Sequence, residues 1–169
     1  MADGDGDKRP FENLIDEARG GRMSVRMEPE EFVNIDRVCE QFKTLIRDMR
    51  TRAKDISDTP PKDWGLGADN PLLTSAATMV SWFRGKAKGS VAGNDVYSIL
   101  DEHYKIIEDI QAVHKLIMDR YIESDAEFAS KVRSLQESLG PIAPIEVPKA
   151  GVIPVNNPDS RHVSRGGTF

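Results

Sequence analysis

The sequence predicts an all-α protein: an antiparallel helical hairpin of two long helices with a short helix in the connection, flanked by disordered termini. Three observations lead there. Apolar residues recur at helical spacing over two long stretches. Prolines and glycines punctuate the chain at the ends of those stretches. Strand patterning is weak throughout, and the only β-branched cluster falls in a proline-rich tail.

The clearest stretch opens at Glu28. Pro29 suits the first helical position, where its missing N–H is not needed, and Glu28, Glu30 and Glu31 complement the positive end of the helix dipole. From there the apolar series Phe32, Ile35, Cys39, Phe42, Ile46, Met49, Ala53 and Ile56 advances by alternating steps of three and four residues. That is the spacing of a coiled-coil seam. Val38 and Leu45 widen the stripe, as expected of a helix with more than one neighbour. The helix is expected to stop near Ser57, ahead of Pro60 and Pro61.

The connection, residues 58–90, opens with the irregular stretch TPPKDWGLG. Asp69 or Asn70 then caps Pro71 at the start of a short helix reaching about Gly85. Leu72, Leu73, Ala76, Met79, Val80 and Phe83 give it an apolar face that is expected to fold back on the hairpin.

The second long helix is expected to start with Asn94 or Asp95 as its cap and to run to about Leu139, before Gly140-Pro141. Its stripe reads Val96, Leu100, His103, Ile107, Ile110, His114, Ile117 and Tyr121, then Phe128 and Leu135, with the pattern weakening near Ser124. At about 1.5 Å per residue it would reach roughly 65 Å, against roughly 45 Å for the first. It must overhang, bend or cover the connection as well.

The termini differ from this middle. Residues 1–27 are rich in Gly, Asp and Arg and hold one short apolar cluster, Phe11, Leu14, Ile15 and Ala18, with room for a helical turn or two; they are expected to form a flexible arm. Residues 140–169 carry Pro141, Pro144, Pro148, Pro154 and Pro158 and are expected to form a disordered tail. The hairpin domain is thus 28–139.

Composition narrows the function. The chain has 169 residues and a net charge of -5 with both signs mixed along it, which suits one domain and supplies no basic block for nucleic acid. Residues 72–83 fall short of the roughly 20 apolar residues that cross a bilayer, so no integral membrane segment is expected. MADGDGDKRP lacks the pattern of a Sec-type signal peptide. Cys39, the one cysteine, reads as a small core residue. His103 and His114 are too far apart to share a metal, His162 lies in the tail, and no HExxH, CxxC, P-loop or GxSxG occurs. No catalytic residue, cofactor or metal is therefore expected, and the chain reads as a non-enzyme.

One motif points to a partner. In DRYIESDAEFASKV, Tyr121 and Asp125 stand at i, i+4, which on a continuous helix places both on one face near its end. A receptor groove reads such an epitope as a docked helix; otherwise this is a seam tyrosine beside a solvated aspartate. The entry MEPEEF, the connection DWGLG, the second long helix, Tyr-x-x-x-Asp late in it and the tail together resemble the actinobacterial Trp-x-Gly and ESX-associated proteins of type VII secretion. The resemblance covers about residues 25–139. It implies a helical hairpin that pairs into a four-helix bundle, with Tyr121 and Asp125 as export signal and Trp64 with Gly65 or Gly67 as turn element. Trp64 is followed directly by Gly65, so the strict Trp-x-Gly triplet is absent.

The expected function is that of a type VII (ESX) secretion substrate or helical pairing partner. Its seam, including Phe32, Ile35, Cys39, Phe42, Ile46, Met49, Ile56, Ile107, Ile110 and Ile117, would form a homo- or heterodimer. The signal would deliver it to the system's ATPase or a chaperone, from the cytoplasm to the exterior by a non-Sec route. The alternative is a cytosolic coiled-coil adaptor or regulatory subunit.

Overall fold

The structure, a computed structural model, describes residues 9–143. Helices α1 (Glu12–Arg19), α2 (Pro29–Asp58), α3 (Thr74–Ala87), α4 (Val96–Ser124) and α5 (Ala126–Ser138) follow in order, with a 3-10 turn at Pro61–Trp64 and no strand among the described residues. The all-α class is the one the periodicity predicts.

Helix α2 starts where Glu28 and Pro29 place it. The Glu31 Oε2 accepts the Glu28 N–H at 3.0 Å, satisfying a backbone donor that the helix itself leaves without a partner. At its far end the Thr59 N–H and hydroxyl both donate to the Asp55 carbonyl, and Pro60 follows. Helix α4 starts on Asp95, whose Oδ1 accepts the Ser98 N–H at 2.9 Å.

Helices α2 and α4 pack more extensively than any other pair. Arg50 meets Asp101 at 2.9 Å and the Tyr97 hydroxyl at 2.9 Å, Gln111 donates to Asp36 at 2.6 Å and Glu40 at 2.9 Å, and the Phe32 ring lies 5.9 Å from that of Tyr121. Residue numbers rise along one helix as they fall along the other, so the two run in opposite directions. The core gathers at one end of this pair, where Phe32, Val33, Val113, Ile117 and Met118 close on Phe128 and Val132 of α5 and Ile15 and Ala18 of α1. Burying Phe32 or Phe128 there contributes roughly 1.5–3 kcal/mol each.

Two expectations need correction. The second long helix does not run unbroken to Leu139: it stops at Ser124, and Asp125 adopts extended backbone, φ -135° and ψ 108°. A short acidic side chain stabilises a helix start better than a helix interior, and Asp125 caps α5. The break turns α5 back onto α2 and α4 where a straight rod would overhang.

Nor is the described part of the N-terminal arm free. Helix α1 packs on α4, burying Ile15 and Ala18. Asp109, fully buried on α4, accepts the Phe11 N–H at 3.2 Å through Oδ2, and its Oδ1 lies 3.3 Å from Arg9 as an ion pair not aligned as a hydrogen bond. Arg120 donates to the Arg19 carbonyl at 2.7 Å. The apolar cluster of this arm thus has a stripe to bury and a buried carboxylate to anchor it. Of the expected tail, residues 144–169 lie outside the described residues, while Arg37 and Gln41 of α2 donate to the carbonyls of Gly140 at 3.0 Å and Ala143 at 3.2 Å.

Candidate functional site

The α2 seam separates into two columns of different fate. Phe32, Cys39, Ile46 and Ala53, each seven residues from the last, are buried. Of Ile35, Phe42, Met49 and Ile56, also seven apart, the first is half-buried and the others are 44%, 39% and 47% exposed. At 3.6 residues per turn the second column lies about 60° round the helix from the first. Helices α4, α3 and α5 all pack on α2, and together they bury the first column and leave most of the second outside.

Helix α4 divides in the same way. Ile117 is buried, Ile107 and Ile110 are half-buried, and Val96 and Ile99 are exposed. Met49, Ala53 and Ile56 of α2, Val96 of α4 and Ala87 of α3 line one shallow apolar groove, so the exposed columns of the two long helices meet. Round α2 in the other direction the surface is charged: Lys43 pairs with Glu40 at 2.7 Å and Arg50 with Asp101. The hydrogen bond from Lys43, then that from Gln111, holds the Glu40 carboxyl below its ordinary value. The two-helix layer is therefore polar on one side and apolar on the other.

Tyr121 and Asp125 do not project side by side from one helix. The Tyr121 hydroxyl donates to the Val25 carbonyl at 3.1 Å, and its ring stacks on Phe128 at 5.2 Å. Asp125 lies past the helix end; its Oδ1 accepts the N–H groups of Glu127 at 2.9 Å and Phe128 at 3.0 Å. The i, i+4 geometry holds only for the backbone, where the Asp125 N–H donates to the Tyr121 carbonyl at 2.9 Å.

Trp64, Gly65 and Gly67 lie in the turn that leaves α2 for α3. Trp64 ends the 3-10 turn, and its indole N–H donates to the Thr59 carbonyl at 3.3 Å. Gly65 and Gly67 both take φ +67°, backbone that side-chain-bearing residues seldom adopt. The Trp64 ring stacks on Phe83 at 6.2 Å. Helix α3 starts at Thr74, later than Pro71, and its expected apolar face is turned only partly inward. Val80 is buried and Ala76 half-buried, but Leu72, Leu73, Met79 and Phe83 stay exposed.

Cys39 is buried, and burial, helped by Asp36, pushes its thiol up and away from reactivity. His103 is exposed; the His114 Nδ1 is buried without a hydrogen-bond partner and its ring meets Phe32 edge-on at 6.2 Å. Burial lowers the His114 pKa. Among the described residues no group of three or more His, Cys, Asp or Glu could hold a metal ion, and no helix is long and apolar enough to cross a membrane. Asp109 is the residue that sequence reasoning missed. Its signal was an acid on the helix face shared by Ile106, Ile110 and Val113, and its partners Phe11 and Arg9 lie 98 and 100 residues away.

Comparison with protein-family models, with curated proteins and with solved structures finds no match.

Proposed function

We propose that the protein acts without catalysis, as a helical hairpin that pairs with a second copy of itself and is a substrate or pairing partner of a type VII secretion system. The observation that carries pairing is the exposed column Phe42, Met49 and Ile56 beside Val96 and Ile99. A column at heptad spacing running about 21 Å along α2 is the geometry of a helix-to-helix contact. An apolar side on a two-helix layer is self-complementary under a two-fold axis and would close a four-helix bundle. What supports export is the resemblance carried by Tyr121, Asp125 and the Trp64 turn, with the helix end at Asp125 as the feature a motor ATPase or chaperone would read.

One observation favours a second reading, a cytosolic adaptor or regulatory subunit that pairs through the same face. Tyr121 and Asp125 both have structural work, one tying down the Val25 link and the other capping α5. Secretion in an actinobacterial host with a working type VII system separates the two, provided that the variants spare the structure. Asp125→Asn keeps an oxygen for the cap and removes the charge, while Tyr121→Phe keeps the ring. Loss of export in Asp125→Asn at unchanged thermal stability supports a signal. Undiminished export of Asp125→Asn, Tyr121→Phe and the double variant would overturn the signal, and absence of the natural protein from the culture filtrate would leave only the adaptor.

A further inference from the structure

Between Asp69 and Asp95 the chain has no acidic residue, and its only charges there are Arg84, Lys86 and Lys88, in a protein whose net charge is -5. The same segment carries the most exposed large apolar side chains of the described residues. Helix α3 is fastened by Val80 and Ala87, which are buried, and turns Trp82 outward at 69% exposure with Met79 at 50% and Phe83 at 52%; Leu72, just ahead of it, is 86% exposed. Round the helix, Phe83, Met79, Lys86 and Trp82 occupy one sector about 100° wide, so a lysine sits among the aromatic and thioether groups. The patch is rigid, because Phe83 stacks on Trp64 and Trp64 is held by the Thr59 carbonyl.

The three cations are spent on neutral groups. Arg84 donates to the Ser57 carbonyl at 2.7 Å, Lys86 to the Asn94 Oδ1 at 3.1 Å, and Lys88 lies 4.2 Å from the centre of the Tyr97 ring. Asp58, the carboxylate that feels Arg84 and Lys88, is paired with Lys54. Their positive charge is therefore left to attract something outside. We infer that this surface docks on an anionic lipid bilayer, lying in the headgroup region with Trp82, Met79 and Phe83 inserted and Lys86 at the phosphates. Tryptophan beside lysine and arginine, without an acid, is the composition that a membrane interface favours, since the indole is apolar over its body and polar at one edge. The residues that insert are separate from Phe42, Met49 and Ile56, so the inference stands or falls apart from pairing.

The full chain has two tryptophans, of which Trp82 is the exposed one and Trp64 is half-buried, so the emission of the natural protein reports a change of surroundings at Trp82. Titrated with vesicles of equal parts phosphatidylcholine and phosphatidylglycerol, its emission shifts to the blue and the protein sediments with the lipid; vesicles of phosphatidylcholine alone have little effect. Lys86→Gln weakens partitioning about fivefold, the weight of one basic residue at an anionic surface. Trp82→Ser in the natural background weakens it about tenfold or more with helicity unchanged, since the side chain is exposed. No binding to the anionic vesicles, or binding indifferent to Trp82→Ser, would overturn the inference. So would a blue shift that grows with protein concentration in the absence of lipid, which would mean that a second copy of the chain covers the patch.

Discussion

The Tyr121 hydroxyl donates to the carbonyl of Val25 at 3.1 Å, joining the last turn of α4 to the link between α1 and α2. Tyr121→Phe removes that bond and keeps the stacking on Phe128, so it lowers stability by about 1 kcal/mol, whereas Tyr121→Ala also opens a cavity and costs about 3 kcal/mol. Urea unfolding followed by circular dichroism measures both. Equal losses in the two variants would mean that the ring contributes nothing.

Asp125 is the hinge between α4 and α5. Removing its side chain strips a cap from the Glu127 and Phe128 N–H groups, so Asp125→Ala costs about 1 kcal/mol and Asp125→Asn a few tenths. Limited proteolysis should then cut the alanine variant faster after residues 124–127, with the asparagine variant resembling the natural chain.

Asp109 anchors the N-terminal helix from inside. Asp109→Ala leaves the Phe11 N–H without its acceptor and Arg9 without its buried partner, a cost of about 1–3 kcal/mol that falls on the docking of α1. Amide exchange of residues 12–19 should accelerate by about tenfold or more while α2 exchanges as before. Unchanged protection would mean that Ile15 and Ala18 suffice to hold the helix.

His114 and Asp95 each contribute to the pH response. Burial lowers the His114 pKa below its ordinary 6.5, so below pH 6.5 the unfolded chain takes up a proton that the folded chain refuses, and stability falls as pH drops through that window. His114→Phe should flatten this slope in melting curves recorded between about pH 7 and pH 5. For Asp95, burial acts to raise the pKa, but hydrogen bonds from Ser98, Ser90 and Gly89 outweigh it and hold the carboxyl below its ordinary 3.8. Its stabilisation is therefore present above pH 3.8 and is lost as pH falls through the lowered value.

Local rules made part of the fold readable. Glu28 and Pro29 announce α2, Asn94-Asp95 announces α4 with Asp95 the residue that caps it, and the three-four spacing from Phe32 to Ile56 marks the helix face that carries the contacts. Spacing names a stripe but not its neighbour. That Phe32, Cys39, Ile46 and Ala53 are buried while Phe42, Met49 and Ile56 stay outside depends on tertiary packing, which periodicity does not encode. The break at Asp125 left only a fading of the pattern near Ser124, because an aspartate within a helical stretch is equally a solvated residue or a cap. Docking of α1 was hidden more deeply, since it needs Arg9 and Phe11 to find Asp109 across most of the chain. On α3, six apolar residues suggested a face turned inward, yet α3 buries only Val80 and Ala87 fully and Trp82 points away.

The pairing face is tested most directly by sedimentation equilibrium of the purified protein beside Phe42→Glu/Met49→Glu. Both positions are exposed in the single chain, so the substitutions leave its helices intact while placing charge across the proposed contact. The natural protein is expected at twice its 18.8 kDa chain mass and the variant at 18.8 kDa with the same circular dichroism. A natural protein that stays at 18.8 kDa up to about 100 μM, a concentration at which even a micromolar dimer is formed, would contradict self-pairing through this face.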